Sequence, residues 1–274
     1  MTSELQVNLS EKVVALTGGG GVLCGAIARA LGKRGAGVAL LDVDEDAAAK
    51  VARDIRSEGG LAIAIECDVL DKNQLISAAA RVEERLGPVD VLINGAGGNR
   101  AEATTSAQAS FFDLPEDAVR SVFELNFLGA FLACQVFGKK MAEHRQGHII
   151  NISSMTAIRP LTRVPAYCAA KAALNSLTQW LAVHLNQNYS QDIRVNAIAP
   201  GFFLTEQNRY LLSDKDTGKL SPRGGAIISH TPMGRFGSPE DLVGTVLWLL
   251  SDSSSFVNGI VVAVDGGFSA FGGV

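Results

Sequence analysis

Seven short apolar runs recur along the chain, and stretches with helical periodicity separate them. The runs cover residues 13–17, 37–42, 61–68, 89–94, 147–153, 192–199 and 259–264. Most are apolar at nearly every position, which is typical of strands covered on both faces. The segments between them are long enough for crossover helices, as in the alanine-rich stretch from Asp71 to Leu86. The pattern predicts an α/β protein with a doubly wound, parallel, seven-stranded sheet and helices on both faces.

The chain shows no internal boundary between domains. No repeat, charge block or low-complexity linker divides the 274 residues, so we expect a single domain over residues 1–274. The interval at about 200–238 is rich in glycine and proline and lies between the sixth strand and the last helix. Because long loops in compact domains are usually lids or binding loops, we expect this interval to cover a substrate.

Composition and charge narrow the classes of function. The chain is 47% hydrophobic and 19% charged with a formal net charge of −4, so nothing attracts nucleic acid or an anionic membrane over long range. The N-terminal segment is polar and no run of about 18 apolar residues occurs, so we expect a cytoplasmic protein. The four cysteines are widely spaced, and Gly147 separates His144 from His148. We therefore expect neither a disulfide framework nor a metal site.

Four consecutive glycines, Gly18 to Gly21, follow the first predicted strand and precede the first helical pattern. A strand, a glycine loop and a helix in this order present free N–H groups and a helix dipole to a phosphate. The usual G-x-G-x-x-G spacing is not met, because its last position falls on Leu23 or Cys24. The loop alone therefore leaves nucleotide binding open.

Polar residues at three further strand ends suggest the rest of a nucleotide site. Asp42 ends the second strand, where a carboxylate accepts hydrogen bonds from an adenosine ribose and repels a 2′-phosphate. This favours NAD over NADP, although Asp44 and Glu45 leave open that Asp42 belongs only to a solvated acidic turn. Asp68 and Asn94 end the third and fourth strands, and each alone could be an ordinary turn residue.

The segment from Ser153 to Lys171 carries the candidate chemistry. Tyr167 and Lys171 are four residues apart on a predicted helix, so their side chains share one face. An ammonium group beside a phenol lowers the pKa of the phenol toward the working pH. Ser154, at the end of the preceding strand, could bind a substrate oxygen while Tyr167 exchanges a proton with it. The alternative, a coincidental pair on a helix, is weakened by the glycine loop and the acidic strand end.

These segments together resemble the short-chain dehydrogenase/reductase family. The likeness covers nearly the whole chain and rests on TGxxx at 17–21, NGAG at 94–97, Asn126 in ELNFLG, Ser154, YxxxK at 167–171 and PGFFLT at 200–205. Within the family the chain is most similar to the D-mannonate oxidoreductases, or fructuronate reductases, through GGGGVLCG, ISSMTAIRPLTRVPAYCAAKAA and APGFFLTEQNR.

The resemblance implies a single Rossmann domain, a nicotinamide dinucleotide as the cofactor and a homo-oligomer, a tetramer rather than a monomer; Asp42 makes NAD the expected dinucleotide. It implies a catalytic tetrad of Asn126, Ser154, Tyr167 and Lys171. In such enzymes the tyrosine is the general acid and base, the serine orients the carbonyl or alcohol, the lysine holds the nicotinamide ribose and lowers the tyrosine pKa, and the asparagine positions a water. The implied cofactor-binding residues are Gly18, Gly20, Gly21, Val22, Leu23, Asp42, Asp68, Val69, Asn94, Gly95, Ala96, Gly97, Tyr167, Lys171, Pro200, Gly201, Phe203 and Thr205.

The opening loop departs from the family pattern TGxxxGxG. Val22 and Cys24 stand where the second and third glycines are usual. The second glycine normally lets the backbone approach the pyrophosphate, and the third lets the helix pack on the strand. We expect Gly19 to Gly21 to supply the lost backbone freedom and Gly25 to ease helix packing.

Arginine residues are the candidates for substrate recognition, because a guanidinium group offers a carboxylate two parallel donors. Arg100, Arg159 and Arg163 lie near the predicted site, Arg223 lies in the interval 200–238, and Asn208 could bind hydroxyl groups. We expect interconversion of D-mannonate and D-fructuronate or a similar sugar-acid pair. The alternatives are another polyol- or gluconate-type dehydrogenase, a 3-oxoacyl reductase and, less favoured, a catalytically silent dinucleotide-binding sensor.

Overall fold

One parallel sheet organises the protein, whose computed structural model describes residues 7–204, 212 and 219–273. The sheet order is β3-β2-β1-β4-β5-β6-β7. The strands are β1 (Val13–Thr17), β2 (Gly37–Asp42), β3 (Leu61–Glu66), β4 (Val91–Asn94), β5 (Gly147–Ile152), β6 (Ile193–Pro200) and β7 (Val261–Val264). All neighbouring strands pair in parallel, so the predicted seven-stranded parallel sheet is confirmed.

Eight α-helices are found in the part of the chain that the structure describes. They are α1 (Val22–Gly32), α2 (Glu45–Ser57), α3 (Lys72–Leu86), α4 (Glu116–Phe123), α5 (Gly129–His144), α6 (Pro165–Asn188), α7 (Pro222–Ser229) and α8 (Val243–Leu250). The start of α3 agrees with the sequence signal, because the Asp71 carboxylate accepts hydrogen bonds from the N–H groups of Asn73 and Gln74.

The core lies on both faces of the sheet. In β1, Val14 and Leu16 pack with α1, α2 and α8, while Val13 and Ala15 pack with α3, α5 and α6. Successive side chains of a strand point to opposite faces, so a strand covered by helices on both sides is apolar throughout. This double coverage explains the continuous apolar runs that predicted the strands.

The interval at about 200–238 contains more structure than the predicted cover loop. Helix α7 occupies its centre and begins where the Ser221 hydroxyl accepts a hydrogen bond from the Gly224 N–H at 3.0 Å. Phe203 forms an isolated bridge with Gly237. Helix α7 was not predicted from the sequence, because Gly224 and Gly225 are poor helix formers. Gly224 is needed there, since a Cβ at this position would overlap the carbonyl oxygen of Leu212.

The helical stretch Glu116–His144 is long and apolar enough to cross a membrane when judged by length and composition alone. It runs through α4 and α5, and Phe137 and Met141 of α5 are fully buried against the sheet. Packing in the core of the fold therefore accounts for its apolar residues.

Candidate active site

The carboxyl ends of β1 and β4 lie side by side where the strand order reverses, and we call the space between the loops that follow them the crevice. The chain builds the sheet outward from β1 to β3 and then returns to place β4 on the other side of β1. The loops after β1 and β4 therefore leave in opposite directions, which is where open α/β sheets bind ligands. The Thr17 hydroxyl joins the two loops, since it accepts hydrogen bonds from the N–H groups of Gly95 at 3.1 Å and Ala96 at 3.3 Å.

The glycine run after β1 combines close packing with a left-handed turn. Gly18 has a φ of 66°, and a Cβ there would lie 2.8 Å from the Ala96 nitrogen. A Cβ at Gly19 would lie 2.8 Å from the side chain of Leu40, and one at Gly20 would lie 2.8 Å from the Cβ of Ala47. These contacts are shorter than real Cβ contacts, so part of the run is required by packing against β2 and α2 rather than by a ligand.

The start of α1 presents unpaired donors to the crevice. The N-cap, Gly21, is extended and has no capping side chain. Within residues 7–204, 212 and 219–273, no group accepts a hydrogen bond from the N–H of Val22, Leu23 or Cys24. Free N–H groups at a helix N-terminus carry partial positive charge and bind anions. The crevice therefore fits the pyrophosphate of a dinucleotide, although Val22 replaces the usual second glycine.

Cys24 occupies the place of the third glycine, and Gly95 provides the space for it. The Cys24 side chain is buried, and a Cβ at Gly95 would overlap its sulfur. Gly25 eases the packing of α1 on α2, because a Cβ there would lie 3.2 Å from the Val51 side chain. Burial raises the pKa of the Cys24 thiol to about 12. The thiol therefore serves as a small apolar group between α1 and the end of β4.

The carboxylate of Asp42 holds the glycine loop against the end of β2. One oxygen accepts a hydrogen bond from the Gly20 N–H at 2.9 Å, and the other accepts one from the Asp44 N–H at 3.0 Å. Each carboxylate oxygen can accept a second hydrogen bond, so the group can still receive ribose hydroxyls. At the end of β3, the Asp68 carboxylate accepts a hydrogen bond from the Leu70 N–H, and the neighbouring Val69 is buried.

The side chain of Asn94 faces the interior rather than the crevice. It is 2% exposed and donates to the Asn151 side chain at 2.8 Å. Asn151 in turn donates to the Thr178 hydroxyl at 2.9 Å. This buried chain joins β4, β5 and α6. Any contact of Asn94 with a cofactor must therefore come from its backbone.

Asn126 lies in a π-helical turn, Glu124–Leu128, between α4 and α5. Its amide nitrogen donates to the carbonyl oxygens of Gly98 at 2.6 Å and Val122 at 2.8 Å, and its side-chain oxygen accepts from the Gly98 N–H at 3.2 Å. Single π turns inside helices often lie at functional sites. The turn fastens Asn126 to the loop after β4, and nothing in the sequence pattern predicted it.

Ser154, Tyr167 and Lys171 meet beside the end of β5. The Ser154 hydroxyl accepts a hydrogen bond from the Thr156 N–H at 3.2 Å. Lys171 is 4% exposed, and its ammonium group donates to the Ile152 carbonyl oxygen at 2.8 Å. The Lys171 nitrogen lies 5.7 Å from the centre of the Tyr167 ring. Burial lowers the pKa of Lys171 to about 8.

The expected acidification of Tyr167 by Lys171 is not found. Burial raises the pKa of the Tyr167 phenol above its ordinary value, and a hydrogen bond with Ser154 opposes the rise only in part. Desolvation disfavours the phenolate, and the Lys171 ammonium group is directed to the Ile152 carbonyl instead. The phenol is therefore protonated at neutral pH, which suits proton donation to a carbonyl.

The remaining predicted cofactor residues surround this cluster. A Cβ at Gly97 would lie 2.7 Å from the Asn126 side-chain oxygen and 3.3 Å from the Lys171 nitrogen, so a larger residue would have to displace the Asn126 amide. At the end of β6, next to Pro200, Gly201 packs against Asp265 with its Cβ position 2.6 Å from the Asp265 Cβ. Phe203 is buried. Thr205 and Asn208 lie outside the described residues.

The structure brings three of the four predicted substrate arginines together. Arg159, Arg163 and Arg223 line a groove of about 970 Å³. Arg100 does not line it, and instead contacts the Ser121 hydroxyl at 3.1 Å and the Glu102 carboxylate at 3.5 Å. The sequence interpretation did not place the aromatic residues of this groove, because they come from segments that are distant along the chain: Phe202, His230, Phe268 and Phe271.

Comparison with known proteins agrees with this geometry. A family model described as enoyl-(acyl carrier protein) reductase matches residues 22–269. The uncharacterized oxidoreductase UxuB of Bacillus subtilis (strain 168) is 49% identical over 279 residues, covering 98% of this chain and 99% of that protein. The chain belongs to the short-chain dehydrogenase/reductase family. The family resemblance predicted from the motifs is thus confirmed.

Two further proteins show the range of similar chains. A Haemophilus influenzae protein solved with bound NAD, and provisionally described as a D-mannonate oxidoreductase, is 46% identical with a TM-score of 0.91, covering 97% of this chain and 98% of that chain. The 5-keto-D-gluconate 5-reductase of Escherichia coli (strain K12) is 33% identical over 260 residues, covering 95% of this chain and 96% of that protein. This chain is therefore similar to oxidoreductases that act on alcohol and keto groups.

The contact between Cys24 and Gly95 predicts that substitutions at the two positions compensate each other. Gly95→Ala should weaken NADH binding on the order of tenfold and lower the melting temperature, because the added methyl group overlaps the Cys24 sulfur. Cys24→Gly in the same chain should recover the larger part of both losses. Recovery stays incomplete, since the Thr17 carbonyl oxygen lies 3.0 Å from the same Cβ position.

Fluorescence titration with NADH and thermal melting of the free protein are measured for the wild type, the two single variants and the double variant. Gly98→Ala is the matched control, because a Cβ there meets nothing within 4 Å. Simple additivity of the Cys24→Gly and Gly95→Ala effects would show that the two residues do not share this space.

Proposed function

We propose that this protein is an NAD(H)-dependent oxidoreductase that interconverts D-mannonate and D-fructuronate, or a similar pair of sugar acid and keto acid. The observation that carries the proposal is the 46% identity, over 97% of this chain, to the NAD-bound Haemophilus protein provisionally described as a D-mannonate oxidoreductase. The meeting of Ser154, Tyr167 and Lys171 beside the crevice supports it. A gluconate-type reductase is the second candidate, favoured by the 33% identity to the 5-keto-D-gluconate 5-reductase.

The proposed reaction uses the four polar groups of the site. The nicotinamide of the bound dinucleotide supplies the hydride for reduction and accepts it in oxidation. The Ser154 hydroxyl donates a hydrogen bond to the carbonyl oxygen and fixes its position. The protonated Tyr167 phenol then passes its proton to that oxygen, and takes a proton back in the reverse direction. Lys171 holds the ribose hydroxyls, and Asn126 positions a water that returns the proton from solvent.

We also propose NAD rather than NADP as the cofactor, with Asp42 as the discriminating residue. Its carboxylate is fastened to the glycine loop by the Gly20 N–H, so it cannot easily swing away from an approaching 2′-phosphate. Two negative groups about 4 Å apart repel by roughly 1 to 4 kcal/mol between bulk water and a protein surface. We propose the other cofactor-binding residues because the family resemblance implies them.

A homo-oligomer, a tetramer by family resemblance, is part of the proposal. Helices α5 and α6 carry an apolar face that the described residues leave exposed, where Trp180 is 59% exposed and Val183 is 56% exposed beside a depression of about 680 Å³. Apolar patches of this kind often mark contacts between proteins. We further propose a cytoplasmic location, which is supported by four cysteines that are all buried and free.

The proposed activity predicts a preference among carbonyl substrates. We expect D-fructuronate or another sugar keto acid to be reduced with a kcat/KM roughly a hundredfold above that of uncharged D-fructose, because charge-assisted hydrogen bonds to arginine are lost with the carboxylate. Tyr167→Phe should lower kcat about 100- to 10,000-fold and change NADH affinity far less, because only one of many cofactor contacts is lost. Spectrophotometric NADH oxidation and fluorescence titration measure both effects.

Preferential reduction of 3-oxoacyl thioesters in the same assay would instead support an acyl reductase. NADH binding without turnover of any carbonyl compound would support the silent sensor.

The cofactor proposal predicts the effect of removing the Asp42 charge. Asp42→Asn keeps an oxygen that can accept from the Gly20 N–H but removes the repulsion, so the ratio of NADH to NADPH affinity should fall on the order of tenfold. Titration of each nucleotide checks this, with the melting temperature showing that the loop is intact. An unchanged ratio would assign the discrimination to other residues.

The buried amine of Lys171 predicts the pH dependence of reduction. Its pKa is about 8 and the pKa of Tyr167 is raised, so both groups are protonated at neutral pH. The kcat/KM for keto-acid reduction should therefore be constant below neutrality and fall as the pH rises through about 8, where Lys171 loses its proton. Initial rates between about pH 6 and 9.5 measure the profile. A rate that increases across this range would contradict these protonation states.

A further inference from the structure

The arginine-lined groove lies apart from the dinucleotide crevice. Its walls come from the segment after Ser154, the segment after β6, helix α7 and the segment after β7. These elements follow strands β5, β6 and β7, whereas the glycine loop follows β1 on the other half of the sheet. We call this space, lined by Arg159, Arg163, Arg223, His230 and Phe268 among others, the arginine groove.

The arginine groove contains positive charge that no carboxylate of the described residues neutralises. Three guanidinium groups line it, those of Arg159, Arg163 and Arg223. Among the residues with described positions, no carboxylate lies within salt-bridge distance of any of the three. By contrast, Arg29 pairs with Asp54, and Arg235 pairs with Asp241. Three unpaired cations in one concavity favour an anionic ligand.

The left-handed backbone conformation of Arg163 indicates that its side chain has a function. Arg163 has a φ of 79°, a conformation that few residues other than glycine adopt. Its carbonyl oxygen accepts a hydrogen bond from the Thr105 N–H at 2.9 Å, which holds this turn in place. Glycine would take the same turn without strain, so the turn alone does not account for an arginine. Such local strain is typical of ligand-binding positions.

Aromatic rings form an apolar wall in the same groove. The His230 ring lies 6.3 Å from that of Phe268 and 6.0 Å from that of Phe271, and Phe202 meets Phe268 edge-on at 5.2 Å. Aromatic faces suit the C–H surface of a carbon chain, and the guanidinium groups suit a carboxylate at its end. The groove therefore offers a complementary surface to an organic acid rather than to an inorganic anion.

The catalytic side chains lie outside the groove. Neither Ser154 nor Tyr167 lines it, although the segment that carries Arg159 and Arg163 connects the two. We take a carboxylate in the groove to be displaced from the oxygen of Tyr167, because Tyr167 is not among the residues that line it. An α-keto acid has its carboxylate bonded directly to the carbonyl carbon, so it cannot occupy both places.

We propose that the arginine groove binds the carboxylate of the substrate, with Arg223 of α7 acting together with Arg159 and Arg163. D-Fructuronate and 5-keto-D-gluconate fit this placement, because in both the carbonyl is several carbons away from the carboxylate. This inference rests on the proposed function and adds to it the place where the carboxylate binds and a specificity-determining residue on α7. The His230–Phe268 wall takes the carbon chain between the two ends.

Two isomeric keto acids test the position of the carbonyl. 5-Keto-D-gluconate and 2-keto-D-gluconate share length and charge and differ in the distance between carbonyl and carboxylate. We expect a kcat/KM at least roughly a hundredfold higher for the 5-keto acid. A preference for the 2-keto acid would overturn the inference and leave sugar-acid reduction standing. Reduction of neither acid, nor of D-fructuronate, would overturn the proposed function as well.

Substitutions in the groove test the arginines. Arg223→Gln should raise the KM for the 5-keto acid roughly ten- to hundredfold and change kcat little, because binding away from the reacting carbon is lost. Arg223→Lys should recover only part of this loss, since a lysine cannot offer two parallel donors. Arg163→Gly, which suits the left-handed turn, should act like Arg223→Gln.

The controls separate charge in the groove from charge elsewhere. Arg120→Gln, which alters an exposed arginine paired with Glu116 on α4, should leave the KM for the acid unchanged. Calorimetric titration of each variant, saturated with NADH, by D-mannonate should show the same order of affinities without turnover. An unchanged KM and an unchanged D-mannonate affinity in both Arg223→Gln and Arg163→Gly would overturn the inference.

Discussion

The buried ammonium group of Lys171 organises the active site. An unpaired charge inside a protein is costly, so the ammonium group must find oxygen partners where helix α6 passes the sheet. It finds the carbonyl oxygen of Ile152, the last residue of β5. This contact places α6, and with it Tyr167, beside Ser154. The Lys171 nitrogen and the Asn126 side chain both approach Gly97, so a larger residue at position 97 would have to displace the Asn126 amide.

Features that depend on local pattern could be predicted from the sequence, and features that depend on distant contacts could not. The strands were predictable because burial on both faces leaves continuous apolar runs, and the shared face of Tyr167 and Lys171 follows from helical spacing. The close contact between Cys24 and Gly95 could not be predicted, since the two residues are far apart in the chain. Helix α7 escaped because glycine, which disfavours helices, is required there by packing. The raised pKa of Tyr167 reflects burial, which spacing cannot reveal.

The two halves of the sheet's carboxyl edge form two different surfaces, the crevice and the arginine groove. The loops after β1 and β4 are joined through Thr17 and form a crevice whose shape is set by backbone and glycine. The segments after β5, β6 and β7 instead present long side chains, including three arginines. Relatives with the same fold and different substrates are expected from such a division, because side chains in the second half can change without disturbing the first.

The π turn at Glu124–Leu128 has a consequence for the angular relation of the two helices that it joins. A π turn holds one residue more than an α-turn, so it offsets the rotational phase of α5 against that of α4 by about a quarter of a revolution. The offset lets α4 and α5 each direct an apolar stripe inward while Asn126 keeps both of its carbonyl partners. Deletion of one residue from this turn would convert it to a regular α-helical turn. Either one apolar stripe would then rotate away from the core, or the Asn126 side-chain amide would change its orientation.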